Sequence, residues 1–333
     1  MMVRSGKGVR HLLMAPLMTF MGMIIMTMSP VYAATEVRVL VLAPAVFEAE
    51  EILKGLSEEL PESFDLIQKT VDAATTIDDL MVFFEESKPT AVVALNNTSV
   101  RLVRDFKTAQ PDFSFPPVVV AMTSFVELEI EGMENVAGIH YEVPMVTGLR
   151  EFRGLVNPKL KRVGILYRAG FGKMVQEQKA FLTPEGFEVV AVEIEESGRK
   201  LKREVNRALR SLLRHDPVDA IWVLNDNILL GHEILRDCWL PALREDRIPL
   251  LVGVRALVGR DLDFGTFAVL PENINLGAQV AELLFEIEEN QWSAVGVGVQ
   301  YPISVTKILN LSQLKSMGDV TGVRTEEIDE VID

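Results

Sequence analysis

A chain of 333 residues with 48% apolar residues has material for about two domains with real hydrophobic cores. Charged residues at 24% exclude an intrinsically disordered chain, and 33 Lys+Arg against 48 Asp+Glu (net −15) argue against a nucleic-acid binder, which needs a basic footprint. The single cysteine, Cys238, excludes an internal disulfide and a Cys-rich zinc site.

The N-terminus reads as an export signal. Arg4, Lys7 and Arg10 precede an uncharged run from Leu12 to Met28, followed by Pro30 and the small-residue site Val31-Tyr32-Ala33. Cleavage after Ala33 is expected, with an uncleaved N-terminal anchor as the alternative; no cysteine stands near the site to carry a lipid. Cleavage removes three basic residues and leaves 30 basic against 48 acidic, a net −18. No later apolar run is long enough to span a bilayer.

From Val37 onward, short β-branched runs alternate with longer amphipathic stretches, the pattern of parallel sheets covered by helices. Strands are predicted at Val37–Leu42, Asp65–Lys69, Ala91–Leu95 and Val118–Ala121, then at Val163–Tyr167, Glu188–Glu193, Ala220–Leu224 and Leu250–Gly253. Several are continuous apolar runs, as strands buried on both faces require. Glu48–Leu60 and Leu201–Leu213 carry apolar residues at helical spacing. The two halves also correspond at nearly constant separation. Arg38–Leu42 matches Arg162–Leu166, Leu95–Thr98 matches Leu224–Asn227, Pro117–Ala121 matches Pro249–Gly253, and Gly148 matches Gly277. The repeat is too long for a solenoid unit and predicts two similar α/β lobes, with Asn157-Pro158 as a joint.

In open parallel sheets, ligands bind beyond the carboxyl ends of the strands. In the first half those ends carry Asn96, Asn97, Thr98 and Ser99, then Met122, Thr123, Ser124 and Phe125. Asn, Thr and Ser here serve equally well as helix N-caps. In the second half the ends carry Tyr167, Asp226, Asn227 and Arg255. Asp226 suits a ligand ammonium or a helix cap. Arg255 suits a ligand carboxylate or phosphate, or else a surface or interlobe salt bridge. Tyr167 belongs at a cleft mouth or in the core, and Tyr141 and His140 lie where the halves meet. Met122, Phe125 and Met145 would supply apolar wall.

Catalytic machinery is thin. The chain has no G-x-S-x-G elbow, no H-E-x-x-H and no phosphate-binding P-loop. Gly170-Phe171-Gly172-Lys173 reads as a turn. His140, His215 and His232 are isolated, Cys238 reads as a small buried hydrophobe, and Glu326–Asp333 reads as a mobile acidic tail. The expectation is no catalytic residue, no metal and no cofactor.

Val163–Gly170 (VGILYRAG), Val223–Asn227 (VLNDN), Arg247–Val254 (RIPLLVGV), Val269–Leu284 (VLPENINLGAQVAELL) and Asn310–Gly318 (NLSQLKSMG) together resemble the periplasmic substrate-binding proteins of ABC transporters. The subgroup they are most similar to is uncharacterised or assigned to tryptophan and related amino acids. The resemblance implies the type I periplasmic-binding-protein fold: two Rossmann-like doubly wound parallel-sheet lobes joined by a three-strand hinge. It places crossovers near Gly138–Val143, near Val269–Glu272 and after Val297. The implied layout is a signal at 1–33, an N-terminal lobe of 34–138 plus 271–296, a C-terminal lobe of 139–270 plus 297–318, and a tail at 319–333. Departures stand at the strand ends: Asn225-Asp226-Asn227 for the usual Thr-Asp-Asn, Tyr167-Arg168-Ala169 for Tyr-Asn-Pro, and Val254-Arg255 where polar or acidic residues are common.

The sequence reading is therefore an exported, non-enzymatic solute receptor of the periplasm. It would deliver a small molecule to an ABC permease in the inner membrane, or signal to a membrane sensor, without nucleic acid. The working ligand is an amino acid or other small amphipathic carboxylate. Arg255 with Thr123 or Asn97 would take its acid, Asp226 its amine, and Tyr167 with Met122 its apolar part.

Overall fold

The computed structural model describes residues 36–195, 198–260, 262, 264–318 and 322–333. The signal expected at 1–33 lies outside the described residues. Among the described residues, no helix is long and apolar enough to cross a membrane.

From Val37 the chain makes four strand–helix steps and a fifth strand. β1 (Val37–Ala43) leads to α1 (Phe47–Glu59), β2 (Phe64–Thr70) to α2 (Ile77–Ser87), and β3 (Ala91–Leu95) to α3 (Asn96–Ala109). β4 (Val118–Thr123) and the short α4 (Val126–Glu129) precede β5 (Val136–His140). All of β3 is buried, which explains its uninterrupted apolar run. Helix α2 starts at a reciprocal cap, in which Asp79 N–H donates to the Thr76 hydroxyl and Thr76 N–H donates to the Asp79 carboxylate.

Residues 141–144 then carry the chain into a second unit of the same kind. It runs α5 (Met145–Leu155), β6 (Arg162–Arg168), α6 (Gly172–Leu182), β7 (Glu188–Ile194), α7 (Leu201–Arg210) and β8 (Ala220–Val223). It continues with α8 (His232–Ile234), α9 (Leu240–Glu245), β9 (Leu250–Val252), α10 (Arg255–Val258) and β10 (Phe267–Pro271). A second crossover returns the chain to α11 (Asn273–Glu289) and β11 (Val299–Gln300). A third, over residues 301–304, leads back to β12 (Val305–Asn310), α12 (Leu311–Met317) and β13 (Glu330–Ile332).

The strands form two sheets. The first has the order β11-β5-β4-β3-β1-β2 and the second β13-β12-β10-β9-β8-β6-β7. Every pair is parallel except β10 with β12, which run antiparallel because the third crossover brings the chain back past Pro271 to Val305. In the first sheet β1 lies between β2 and β3, and in the second β6 lies between β7 and β8. Each sheet therefore has a topological switch point, and its crevice opens at the carboxyl ends of the strands. Apolar clusters cover both faces of each sheet.

Several expectations change. Asn157-Pro158 lies between α5 and β6 inside the second lobe and is not the joint, and β11, beyond Val297, pairs with β5 in the first sheet. Glu326–Asp333 is part of the second lobe: Ile328 is buried, β13 pairs with the edge strand β12, and Lys307 N–H donates to Asp329 at 2.8 Å. Its carboxylates are met by cations, Arg255 on Glu330 and Lys315 on Asp333, so the acidity decorates an ordered edge. The helix starting at Leu201 ends its regular turns at Arg210 and continues as a wider turn over Ser211–His215.

The repeat-matched glycines differ in purpose. Gly148 and Gly277 begin the helices after the first two crossovers, but a Cβ on Gly148 would find only ordinary contact with Val269 at 3.8 Å. A Cβ on Gly277 would sit 2.1 Å from the Ile52 carbonyl oxygen, and one on Gly55 1.9 Å from that of Ile274. These two glycines let α1 and α11 touch backbone to backbone, which binds the returning helix to the first lobe. Gly277→Ala is expected to lower the urea midpoint, with a loss of about 1–3 kcal/mol or more from overpacking. An unchanged midpoint would show that the helices separate freely.

Candidate functional site

The cleft face of the first lobe is held in a strained posture. Asn96, Met122 and Phe125, at the ends of β3 and β4, have φ of 77°, 55° and 55°. Such left-handed conformations in non-glycine residues cost of order 1–3 kcal/mol each and collect where function needs a fixed shape. The Asn97 amide ties the two loops together: Nδ2 donates to the Ser124 carbonyl at 2.9 Å, and Ser124 N–H donates to Asn97 Oδ1 at 3.0 Å. Glu129, gripped by Arg101 and Arg104, accepts a second Asn97 hydrogen bond at 3.1 Å. Phe125 N–H donates to the Glu142 carboxylate, 3.0 and 3.1 Å from its two oxygens. Glu142 lies on the first crossover, so the hinge itself holds the strained loop.

The residues expected at the site divide by location. Asn96, Asn97, Thr98, Met122, Ser124 and Tyr141 are partly exposed at the strand ends or crossover of the first lobe. Asn96 Oδ1 accepts from Ser99 N–H at 3.0 Å, and Ser99 is fully buried. Thr123 is also fully buried and donates to the Ala121 carbonyl at 3.1 Å, so its hydroxyl works inside the loop. Tyr141 packs against the first lobe's core, and burial pushes its hydroxyl up to about 12.

In the second lobe three expected contacts are engaged elsewhere. Tyr167 is 7% exposed; its ring packs with Ile165, Phe171 and Val175, and its hydroxyl bonds Glu193 at 3.2 Å. It is a core residue because its place on β6 turns the ring under α6. Asp226 is 1% exposed and takes a two-pronged contact from Arg168, Nε at 2.5 Å and Nη2 at 3.0 Å, plus Ile228 N–H at 2.9 Å. Its charge is already matched. The Arg255 guanidinium pairs with Glu330, the residue that β13 brings to the sheet edge. Asn227 is exposed in the loop after β8.

What both lobes do enclose is a cavity of about 220 Å³ beside the crossovers. Phe125 of the first lobe meets Phe171 of the second with ring centroids 4.5 Å apart. Trp222 and Met174 extend the apolar wall. His140, closing β5, stacks on Tyr301 of the third crossover at 4.3 Å with the rings 15° from parallel. Burial lowers the His140 pKa against the opposing pull of Glu127 and Glu177, which favours the neutral imidazole. Glu142 lines this cavity and a narrow one of about 20 Å³ next to it, where Asn225 also stands. Burial pushes the Glu142 carboxyl up to about 7, against the opposing pull of the Phe125 N–H and the Ser124 hydroxyl. Among the described residues, no three His, Cys, Asp or Glu side chains gather to hold a metal.

Phe125 and His140 stood at readable strand ends, whereas Glu142, Phe171, Trp222 and Tyr301 did not. Phe171 belongs to the segment read as a turn, and it does occupy a short turn before α6. The available signal for Glu142 was an acid set among Tyr141, Val143 and Pro144 at the junction of the halves.

No protein-family model matches the sequence, and no curated protein is significantly similar to it. Solved structures are similar in shape. A ligand-free, open substrate binding protein with adhesive properties from Clostridium difficile superposes with a TM-score of 0.60 at 18% identity, covering 89% of this chain and 99% of that one. The fold is that of the type I periplasmic binding proteins. An ABC domain from Streptococcus pneumonia in complex with L-Trp (TM-score 0.55, 16% identity) covers 89% of this chain and 100% of its own. A conserved domain protein from Vibrio cholerae O1 biovar El Tor gives 0.55 at 15% identity, with 89% and 99% covered.

A type I binding-protein cleft with a high-pKa carboxyl makes a definite prediction. The raised Glu142 pKa means that the folded protein binds this proton more tightly than the unfolded chain does. The resulting stabilisation is complete below the ordinary carboxylate range and is lost as pH rises through about 7. Its upper bound is ~3 kcal/mol. Urea unfolding of wild type and Glu142→Gln is therefore expected to show wild type losing stability relative to the variant between pH 5.5 and 8.5. A difference independent of pH over that range would place the carboxyl at its ordinary value.

Proposed function

We propose that the protein is an exported solute-binding receptor that takes a small amphipathic molecule between its lobes and presents it to an ABC permease. It carries out no chemistry of its own. The observation that supports this reading is the joint construction of the 220 Å³ cavity: Phe125 comes from one lobe, Phe171 and Trp222 from the other, and Glu142 and Tyr301 from two of the crossovers. A solute seated there touches both lobes and the segments between them, so its binding energy acts directly on the angle between the lobes. The export signal expected from Arg4 to Ala33 agrees with such a role. So does the L-Trp held by one protein of similar fold.

The ligand contacts follow from the same geometry. Phe125, Phe171 and Trp222 take the apolar part and Glu142 a donor group, while Arg255, engaged with Glu330, is left out. The solute recovered from the native protein by mass spectrometry is expected to shrink the radius of gyration in small-angle scattering. Phe125→Ala is expected to weaken its binding by about tenfold or more, as buried aromatic anchors do. Arg255→Ala is expected to leave affinity within about twofold, the outcome for an exposed ion pair remote from the ligand. The reverse ranking in calorimetry would move the site to the Arg255 side of the cleft.

A further inference from the structure

The polar groups of the cavity are unevenly matched. Glu142 presents a carboxylate whose hydrogen-bond donors are backbone and hydroxyl groups of the opposing loop, and among the described residues no cation is paired with it. Asn225, only 9% exposed, lines the adjoining narrow cavity together with Glu142 and Trp222, and among the described residues its Oδ1 has no hydrogen-bond partner. A buried acceptor is costly to leave unmade, and the two oxygens of the Glu142 carboxylate have room for a further donor beyond those they already accept from. Phe125, Phe171, Trp222 and Tyr301 line the same cavity, and aromatic rings attract a cation through their quadrupole.

The neighbouring cations are each paired with an acid. Arg168 is held two-pronged by Asp226, with its guanidinium 5.3 Å from the centre of the Phe171 ring, and Arg255 is paired with Glu330. Lys173, at the cavity rim, is 87% exposed and lies 3.8 Å from Glu177. Glu127, Glu131 and Glu177 add further negative charge at the same rim. A ligand carboxylate brought beside Glu142 would meet like charge in a partly desolvated space, which disfavours it.

Resting on the receptor reading above, we propose that this cavity selects a small organic amine with an aromatic or branched apolar body and no carboxylate. The ammonium would donate to Glu142 and to Asn225 Oδ1, and the body would lie against the wall formed by Trp222 and the contacting pair Phe125 and Phe171.

Three probes with the same body and different charge test this: phenethylamine, L-phenylalanine and 3-phenylpropionate, titrated calorimetrically into the full-length protein. Phenethylamine is expected to bind at least about tenfold more tightly than L-phenylalanine, and 3-phenylpropionate not to bind. Glu142→Gln, which keeps the side chain's shape, is expected to weaken the amine by at least about tenfold. Equal or tighter binding of L-phenylalanine, no binding of phenethylamine, or an unchanged affinity in the variant would overturn the proposal. If Glu142→Gln fails to fold, the three-probe ranking on wild type decides alone. Scattering separates the two readings. Closure by L-phenylalanine or 3-phenylpropionate but not by the amine leaves a receptor and removes the amine inference. Lobes that stay open with all three probes, and with any solute recovered from the native protein, remove both.

Discussion

One contact connects most of the features described here: the Glu142 carboxylate accepting the backbone N–H of Phe125. Its donor belongs to a loop in a strained left-handed posture, and its acceptor belongs to the segment that carries the chain from one lobe into the other. The contact therefore fixes the direction of the Phe125 ring, which spans the cleft to Phe171. It also keeps a carboxylate in a setting that burial makes unfavourable for charge. Strain and desolvation at one place are tolerated because the sheets on either side are deeply packed.

That packing builds two bodies joined by short crossovers. Strands β1, β3 and β4 form the buried centre of one sheet, and the Gly55–Gly277 contact fastens α11 to it although the chain has travelled through the other lobe in between. The second sheet is extended on its far edge by β12 and β13, whose acidic surface is matched by Arg255 and Lys315. Three short crossovers connect these bodies. Two of them contribute side chains to the cavity, Glu142 from the first and Tyr301 from the third. A solute held there would touch the crossover segments themselves as well as the lobes.

Much of the fold was legible because buried parallel strands must be written in continuous apolar runs. Ala91–Leu95 matches the structure at both ends, and the other seven predicted strands overlap observed ones. The repeat also declared the two lobes. Five strands were not predicted: β5 and β10 were read only as crossovers between the halves, and β11, β12 and β13 are short or partly exposed, their alternation blurred by the polar residues of an edge. The site was less legible than the fold for a different reason. Residue type at a strand end says that a side chain is near the cleft, but partner choice decides its use. Asp226 and Arg255 looked like ligand contacts until Arg168 and Glu330, distant in sequence, claimed them. Tyr167 differs from Phe125 only in which way its backbone turns it. Glu142 drew no notice because it has no motif; its character comes from burial and from a donor 17 residues away.

The charge state of Glu142 carries the account, and it can be measured without knowing the ligand. Carbon-13 NMR of the protein labelled at glutamate side-chain carboxyls, with Glu142→Gln to assign the resonance, gives its titration directly. A midpoint near 7 is expected. A midpoint in the ordinary carboxylate range would contradict it, because Glu142 would then be a solvated surface acid and not the buried acceptor on which the cavity is built.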